Sequence, residues 1–179
     1  MRLPEEGQRS GRMAGRSPAV KVSQWHLCAA GWGGGMGSLF EGEVDMPRHL
    51  LIVEDQPNDV ELARAALALS QVECEVRVAR DGTEALDLLR QPGPCPNLIL
   101  LDLNLPGVGG QEVLTAVRAN PAWRHVPVVI FTTSDEPRDR AACAAAGADE
   151  YVLKPGGFGE LIDLFNRLGR RWLTAEHCT

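Results

Sequence analysis

The sequence predicts an α/β fold, a doubly wound sheet of five parallel strands with five helices. Three observations carry that reading. Strand-like runs at 50–53, 74–79, 97–101, 126–131 and 150–153 alternate strictly with helix-like segments, and such alternation with short connections gives parallel strands joined by right-handed crossovers. The runs Leu50-Leu51-Ile52-Val53 and Leu98-Ile99-Leu100-Leu101 are wholly apolar, as strands buried on both faces are. Acids follow both runs directly: Glu54 and Asp55 after the first, Asp102 after the second.

The elements follow in order from Pro47. After the first strand, Pro57-Asn58-Asp59 opens a helix; proline is tolerated in a first turn and acids suit the positive helix end. The helix continues through Val60, Leu62, Ala63, Ala66 and Leu67 with an apolar face. Cys74–Ala79 is the second strand. Asp81-Gly82-Thr83-Glu84 begins the second helix, carrying Ala85, Leu86, Leu88 and Leu89. The third strand ends before Asp102, and the third helix, Gly110 to Ala119, stops before Pro121. Val126–Phe131 is the fourth strand. The fourth helix spans Asp135 to Ala146, with a C-cap at Gly147. Glu150–Leu153 and a helix over Phe158–Leu173 complete the set. This pattern suits a flavodoxin-like domain with strand order 2-1-3-4-5, whose switch point sets the ends of strands one and three side by side. Glu54, Asp55 and Asp102 meet there.

The chain of 179 residues suggests one domain, over 46–173. Its first 45 residues are rich in glycine and lack a sustained period. They are expected to be a disordered tail or the product of a misassigned start, with Met46 the first true residue; Trp25 and Trp32 are unusual in such a segment. Residues 174–179 are a short C-terminal tail. The net charge of −6 argues against a nucleic-acid binder, which needs a basic face. No apolar stretch is long enough to cross a membrane. The five cysteines, Cys28, Cys74, Cys95, Cys143 and Cys178, form no C-x-x-C pair. They are expected as free thiols in a reducing cytoplasm.

Three carboxylates at one sheet edge repel one another unless a cation joins them, and oxygen-only ligands favour a hard ion such as Mg²⁺. Thr132 follows the fourth strand and Lys154 the fifth. Acid, hydroxyl, ammonium and metal together suggest phosphoryl chemistry on Asp102. Alone, Glu54 and Asp55 would read as a solvated acidic loop, Asp102 as a turn residue, and Lys154 as a surface lysine. Their common placement at strand ends speaks against that, as does the lack of any other lysine after Lys21.

The segment from Met46 to Leu173 resembles the receiver domain of bacterial two-component response regulators. The resemblance rests on Val53-Glu54-Asp55, Leu101-Asp102-Leu103-Asn104-Leu105-Pro106-Gly107, Thr132-Thr133 and Lys154-Pro155, in order and at fitting separations. The wording around Glu54 and Asp102 is most similar to small stand-alone regulators, some of which pair with phytochrome-type sensor kinases. The resemblance implies that Asp102 is the phosphoacceptor for a sensor histidine kinase. It further implies that Glu54, Asp55, Asp102 and the backbone carbonyl of Asn104 hold Mg²⁺, and that Lys154 and Thr132 bind the phosphoryl group. Tyr151 is then the aromatic that turns inward on activation. Asn104 and Ser134 tune phosphate lifetime, and the short Ser134 side chain suggests slow autodephosphorylation. Lys154-Pro155 is expected to be cis, and Gly107–Gly110 flexible for want of the acid the family often has there.

The fifth helix carries Leu161, Phe165, Leu168 and Trp172 among an apolar set wider than one core-facing stripe. It suggests a homodimer face. The whole reading is a single-domain regulator that catalyses only its own phosphorylation and dephosphorylation. The alternatives are a phosphate-relay intermediate or a non-phosphorylated interaction module. A haloacid-dehalogenase-type phosphatase needs a second Asp where this chain has Asn104, and a flavodoxin needs a phosphate loop where it has Glu54-Asp55-Gln56-Pro57.

Overall fold

The computed structural model describes residues 47–173; the expectations for 1–45 and 174–179 fall outside the described residues. Ten elements alternate without exception: β1 (His49–Val53), α1 (Pro57–Leu69), β2 (Glu75–Ala79), α2 (Gly82–Arg90), β3 (Leu98–Leu101), α3 (Gly110–Ala119), β4 (Val128–Thr132), α4 (Pro137–Ala145), β5 (Glu150–Leu153) and α5 (Phe158–Trp172). The five strands are parallel in the order β2-β1-β3-β4-β5, as the alternation predicts.

The period-two alternation of strand side chains divides the core into two layers. Leu50, Ile52, Leu98, Leu100, Val129 and Phe131 face α1 and α5. Leu51, Val53, Ile99, Leu101, Val128 and Ile130 face α2, α3 and Cys143 of α4. A parallel sheet covered on both faces needs uninterrupted apolar strands, and β1, β3 and β4 are buried along their whole length.

Where boundaries shift, proline decides. β4 starts at Val128, later than the apolar run suggests, because Pro127 has no N–H to give to a ladder. The Pro127 carbonyl still accepts from the Ile99 N–H at 2.9 Å. α4 starts at Pro137, since the residue before a proline is held extended and Glu136 has ψ 123°. Its end is a Schellman turn one residue past the C-cap Ala146. Gly147 adopts φ +90°, its N–H donates to Ala144 O, and the Ala148 N–H donates to Cys143 O. Arg118 of α3 ties this turn to the sheet. Its guanidinium donates to the carbonyls of Gly147 and Val126 and to Asp149 Oδ2, which also accepts from the Val128 N–H.

The expected dimer face is corrected here. Leu161, Phe165 and Leu168 are 8, 2 and 1% exposed and belong to the domain's own core, and Trp172 packs partly against it. The apolar stripe of α5 looked too wide for one surface because α5 lies in the groove between the sheet and α1 and buries against both.

Candidate functional site

Strand ends assemble the site. The register pairs Val53 of β1 with Leu101 of β3, so the residues that follow, Glu54 and Asp102, emerge side by side. The Asp102 N–H donates to Val53 O at 3.0 Å. Thr132 closes β4 opposite Leu153, and the Lys154 N–H donates to Thr132 O at 2.8 Å. Glu54, Asp102 and Thr132 are all nearly inaccessible, at 2, 4 and 0% exposure. Buried carboxylates need compensation, and it comes from Lys154. Its Nζ lies 2.6 Å from Glu54 Oε2 and donates to Asp102 Oδ2 and Asp59 Oδ2, each at 2.8 Å.

Backbone amides hold the acids from the other side. Asp102 Oδ1 accepts from the Asn104 N–H at 3.2 Å, and Glu54 Oε1 from the Gln56 N–H at 3.2 Å. The Gln56 amide donates to Asp55 Oδ2. Burial pushes the Glu54 carboxyl above its ordinary range, opposed by its bond to Lys154. Burial alone would lower Lys154, but its bonds to Asp102, Asp59 and Glu54 win and hold the ammonium above its ordinary range. The lysine therefore keeps its charge.

Ligand oxygens of Glu54, Asp55 and Asp102 lie within 4.8 Å of one another. An all-oxygen set with one ammonium among several acids is short of positive charge. It fits a hard divalent cation.

Glycines let the loop between β3 and α3 seat against the acceptor. A Cβ on Gly110 would lie 2.0 Å from the Asp102 carbonyl oxygen, and one on Gly82 would lie 2.2 Å from the Val108 carbonyl oxygen. The loop is also pinned: the Gly109 N–H donates to Glu112 Oε2 and the Gly110 N–H to Leu103 O. No peptide bond among the described residues is cis, so Lys154–Pro155 is trans, contrary to expectation.

Behind the acids, Ser134 joins the two expected switch residues. Its N–H donates to Thr132 Oγ1 at 3.3 Å, its carbonyl accepts from the Tyr151 hydroxyl at 2.9 Å, and its own hydroxyl donates to Asp139 Oδ2 at 2.6 Å. The Arg140 guanidinium covers the Tyr151 ring, 4.5 Å from its centroid. The structure thus gathers Glu54, Asp55, Asp102 and Lys154 in one cluster and links Thr132, Ser134 and Tyr151 in a second. Sequence reasoning missed Asp59 and Asp139. Asp59 was visible only as an acid in a helix's first turn. Its further signal was that α1 follows directly on Glu54 and Asp55 and so starts above the same sheet edge.

A five-stranded receiver-type sheet with this acid cluster defines a class. The chain belongs to the response regulator receiver domain family, whose model matches residues 50–166. Its function is that of a response regulator, a signalling protein that accepts a phosphoryl group in a two-component phosphorelay. Among curated relatives, the response regulator Rcp1 of Synechocystis is 36% identical over 136 residues, 73% of this chain and 92% of that protein. The crystal structure of the Mn²⁺-bound form of Rcp1 has a TM-score of 0.65 at 36% identity, covering 72% of this chain and 96% of its own. The crystal structure of the phosphorylated cyanobacterial phytochrome response regulator RcpA has a TM-score of 0.67 at 34% identity, covering 75% and 98%.

Proposed function

We propose that Asp102 is the phosphoacceptor and that this chain promotes its own phosphorylation from a sensor histidine kinase. The observation that carries the reading is the Asp102 carboxylate, buried at the end of β3 and bonded to the ammonium of Lys154. An Asp102 oxygen attacks the phosphorus of a kinase phosphohistidine. The phosphorus–nitrogen bond breaks, the imidazole takes the electron pair, and an acyl phosphate forms. Lys154 neutralises charge on the transferring group, and the Thr132 hydroxyl donates to one of its oxygens; such preorganised charge is usually the largest catalytic contribution. Glu54, Asp55, Asp102 and the Asn104 backbone carbonyl would hold Mg²⁺, which when bound supplies further neutralisation of phosphoryl charge. The all-oxygen donor set and the Mn²⁺-bound state of the relative Rcp1 support that ion class.

A phytochrome-type kinase is the partner we infer, on the strength of the likeness to the phytochrome response regulator RcpA. A cytoplasmic setting accords with the free thiols Cys74, Cys95 and Cys143; among the described residues no helix is long and apolar enough to cross a membrane. A slow autodephosphorylation is inferred because the Ser134 hydroxyl is short and engaged by Asp139. Tyr151, the sole tyrosine, is inferred to report the switch through its bond to the Ser134 carbonyl. Its ring resonances are expected to move on phosphorylation, and silence removes that role. A homodimer through the face of α4, β5 and α5 is proposed on fold position alone, since Leu161, Phe165 and Leu168 are buried in the domain's own core. Sedimentation showing only monomer, with and without a phosphoryl mimic, removes it. The main test is transfer from an autophosphorylated phytochrome-type kinase. Label is expected on the wild type, and none on Asp102→Asn or in excess chelator.

A further inference from the structure

We propose that Asp59 is a positioning residue that holds the Lys154 ammonium over Asp102 before and during phosphoryl transfer. The inference rests on the assignment of Asp102 and Lys154 just made and adds a residue that assignment does not contain. An ammonium has three donor hydrogens. Lys154 has three carboxylate partners within bonding distance: Glu54 at 2.6 Å and Asp59 and Asp102 at 2.8 Å each. Its four-carbon stem is flexible, so its direction is set by where those acceptors sit.

Two of the three partners have other work. Asp102 turns into an acyl phosphate on transfer, and its contact with the ammonium passes to a phosphoryl oxygen. Glu54 belongs to the acid trio with Asp55 and Asp102. Asp59 alone is outside both roles. It stands at the third position of α1, where Pro57 fixes the first turn. Its contact is therefore the one that can persist through the reaction. Asp59 also keeps access to water, with its side chain 33% exposed against 10% for Lys154. It can carry charge there at lower desolvation cost than a buried acid.

The plain alternative is an acid that merely complements the positive end of α1. The two differ in what they do to Lys154. The full chain holds only two lysines, Lys21 and Lys154, so lysine side-chain nitrogen NMR gives two signals, assigned by Lys154→Ala, with Lys21 as internal reference. For a positioning residue, the Lys154 ammonium signal is slowly exchanging in the wild type. It shifts or is lost in Asp59→Ala, with a smaller change in Asp59→Asn, which keeps an acceptor oxygen. With saturating Mg²⁺ and acetyl phosphate as donor, Asp59→Ala slows adduct formation about tenfold and has no further effect in a Lys154→Ala background. An unchanged Lys154 signal and an unchanged rate, with only thermal stability lowered, overturn the proposal and leave Asp59 as a helix-terminus acid. If the wild type takes no phosphoryl group, the reading of Asp102 fails. The Lys154 signal still decides the contact: its change in Asp59→Ala upholds the positioning role, and its constancy rejects it.

Discussion

Single residues in this domain are set by what burial demands of their charge. His49, 6% exposed at the start of β1, shows the sign of such an effect away from the site. Burial lowers its pKa from 6.5, with Glu75 opposing and Arg77 assisting. The unfolded chain then takes a proton that the folded one refuses. Its penalty is absent above the ordinary histidine range and grows as pH falls through it. Urea midpoints are expected to drop between pH 7 and 5.5 (roughly spanning that range) more in the wild type than in His49→Gln; an equal drop contradicts the assignment. At the same scale, Asp102, Glu54, Asp55, Thr132 and Lys154 were legible because each directly follows or closes an apolar strand, and strand ends of a parallel sheet share one edge. Asp59 and Asp139 were not. Their roles depend on which way the first turns of α1 and α4 point, and a helical pattern leaves that unspecified.

Elements bring these residues together, and two of them can be tested. α5 is a core element, so Phe165→Ala is expected to cost about 3–5 kcal/mol of stability, read as a lower urea midpoint. A change in association with stability intact would restore the dimer-face reading. α3 opens with Gly110, whose backbone passes so close to the Asp102 carbonyl that a Cβ would meet it at 2.0 Å. Gly110→Ala is expected to cost about 1–3 kcal/mol and to slow adduct formation by moving the loop that carries Asn104. Gly159→Ala, in open space on α5, is expected to gain up to about 1 kcal/mol, which separates steric closeness from mere replacement of glycine. Sequence located every strand and helix here but misjudged α5. The width of an apolar stripe gives the amount of surface to be covered, and not what covers it. The two late starts, β4 and α4, follow from Pro127 and Pro137, whose restrictions the apolar runs alone do not express.

At the scale of the whole molecule, the strand order follows from alternation and handedness, and with it the meeting of β1 and β3 at the site. The acids, Lys154, Thr132 and Tyr151 are joined by contacts among residues 47–173. The glycine-rich sequence of residues 1–45, without a sustained period, leads us to expect that their deletion leaves phosphorylation rates unchanged; loss of folding or of adduct refutes that. The central claim is that Asp102 is the phosphoacceptor, and intact mass tests it most directly. Wild type and Asp102→Asn are incubated with Mg²⁺ and a small phosphodonor, with folding checked for both. The account expects a single base-labile phosphoryl adduct on the wild type alone. No adduct on folded, Mg²⁺-binding wild type, or the same adduct on Asp102→Asn, would contradict it.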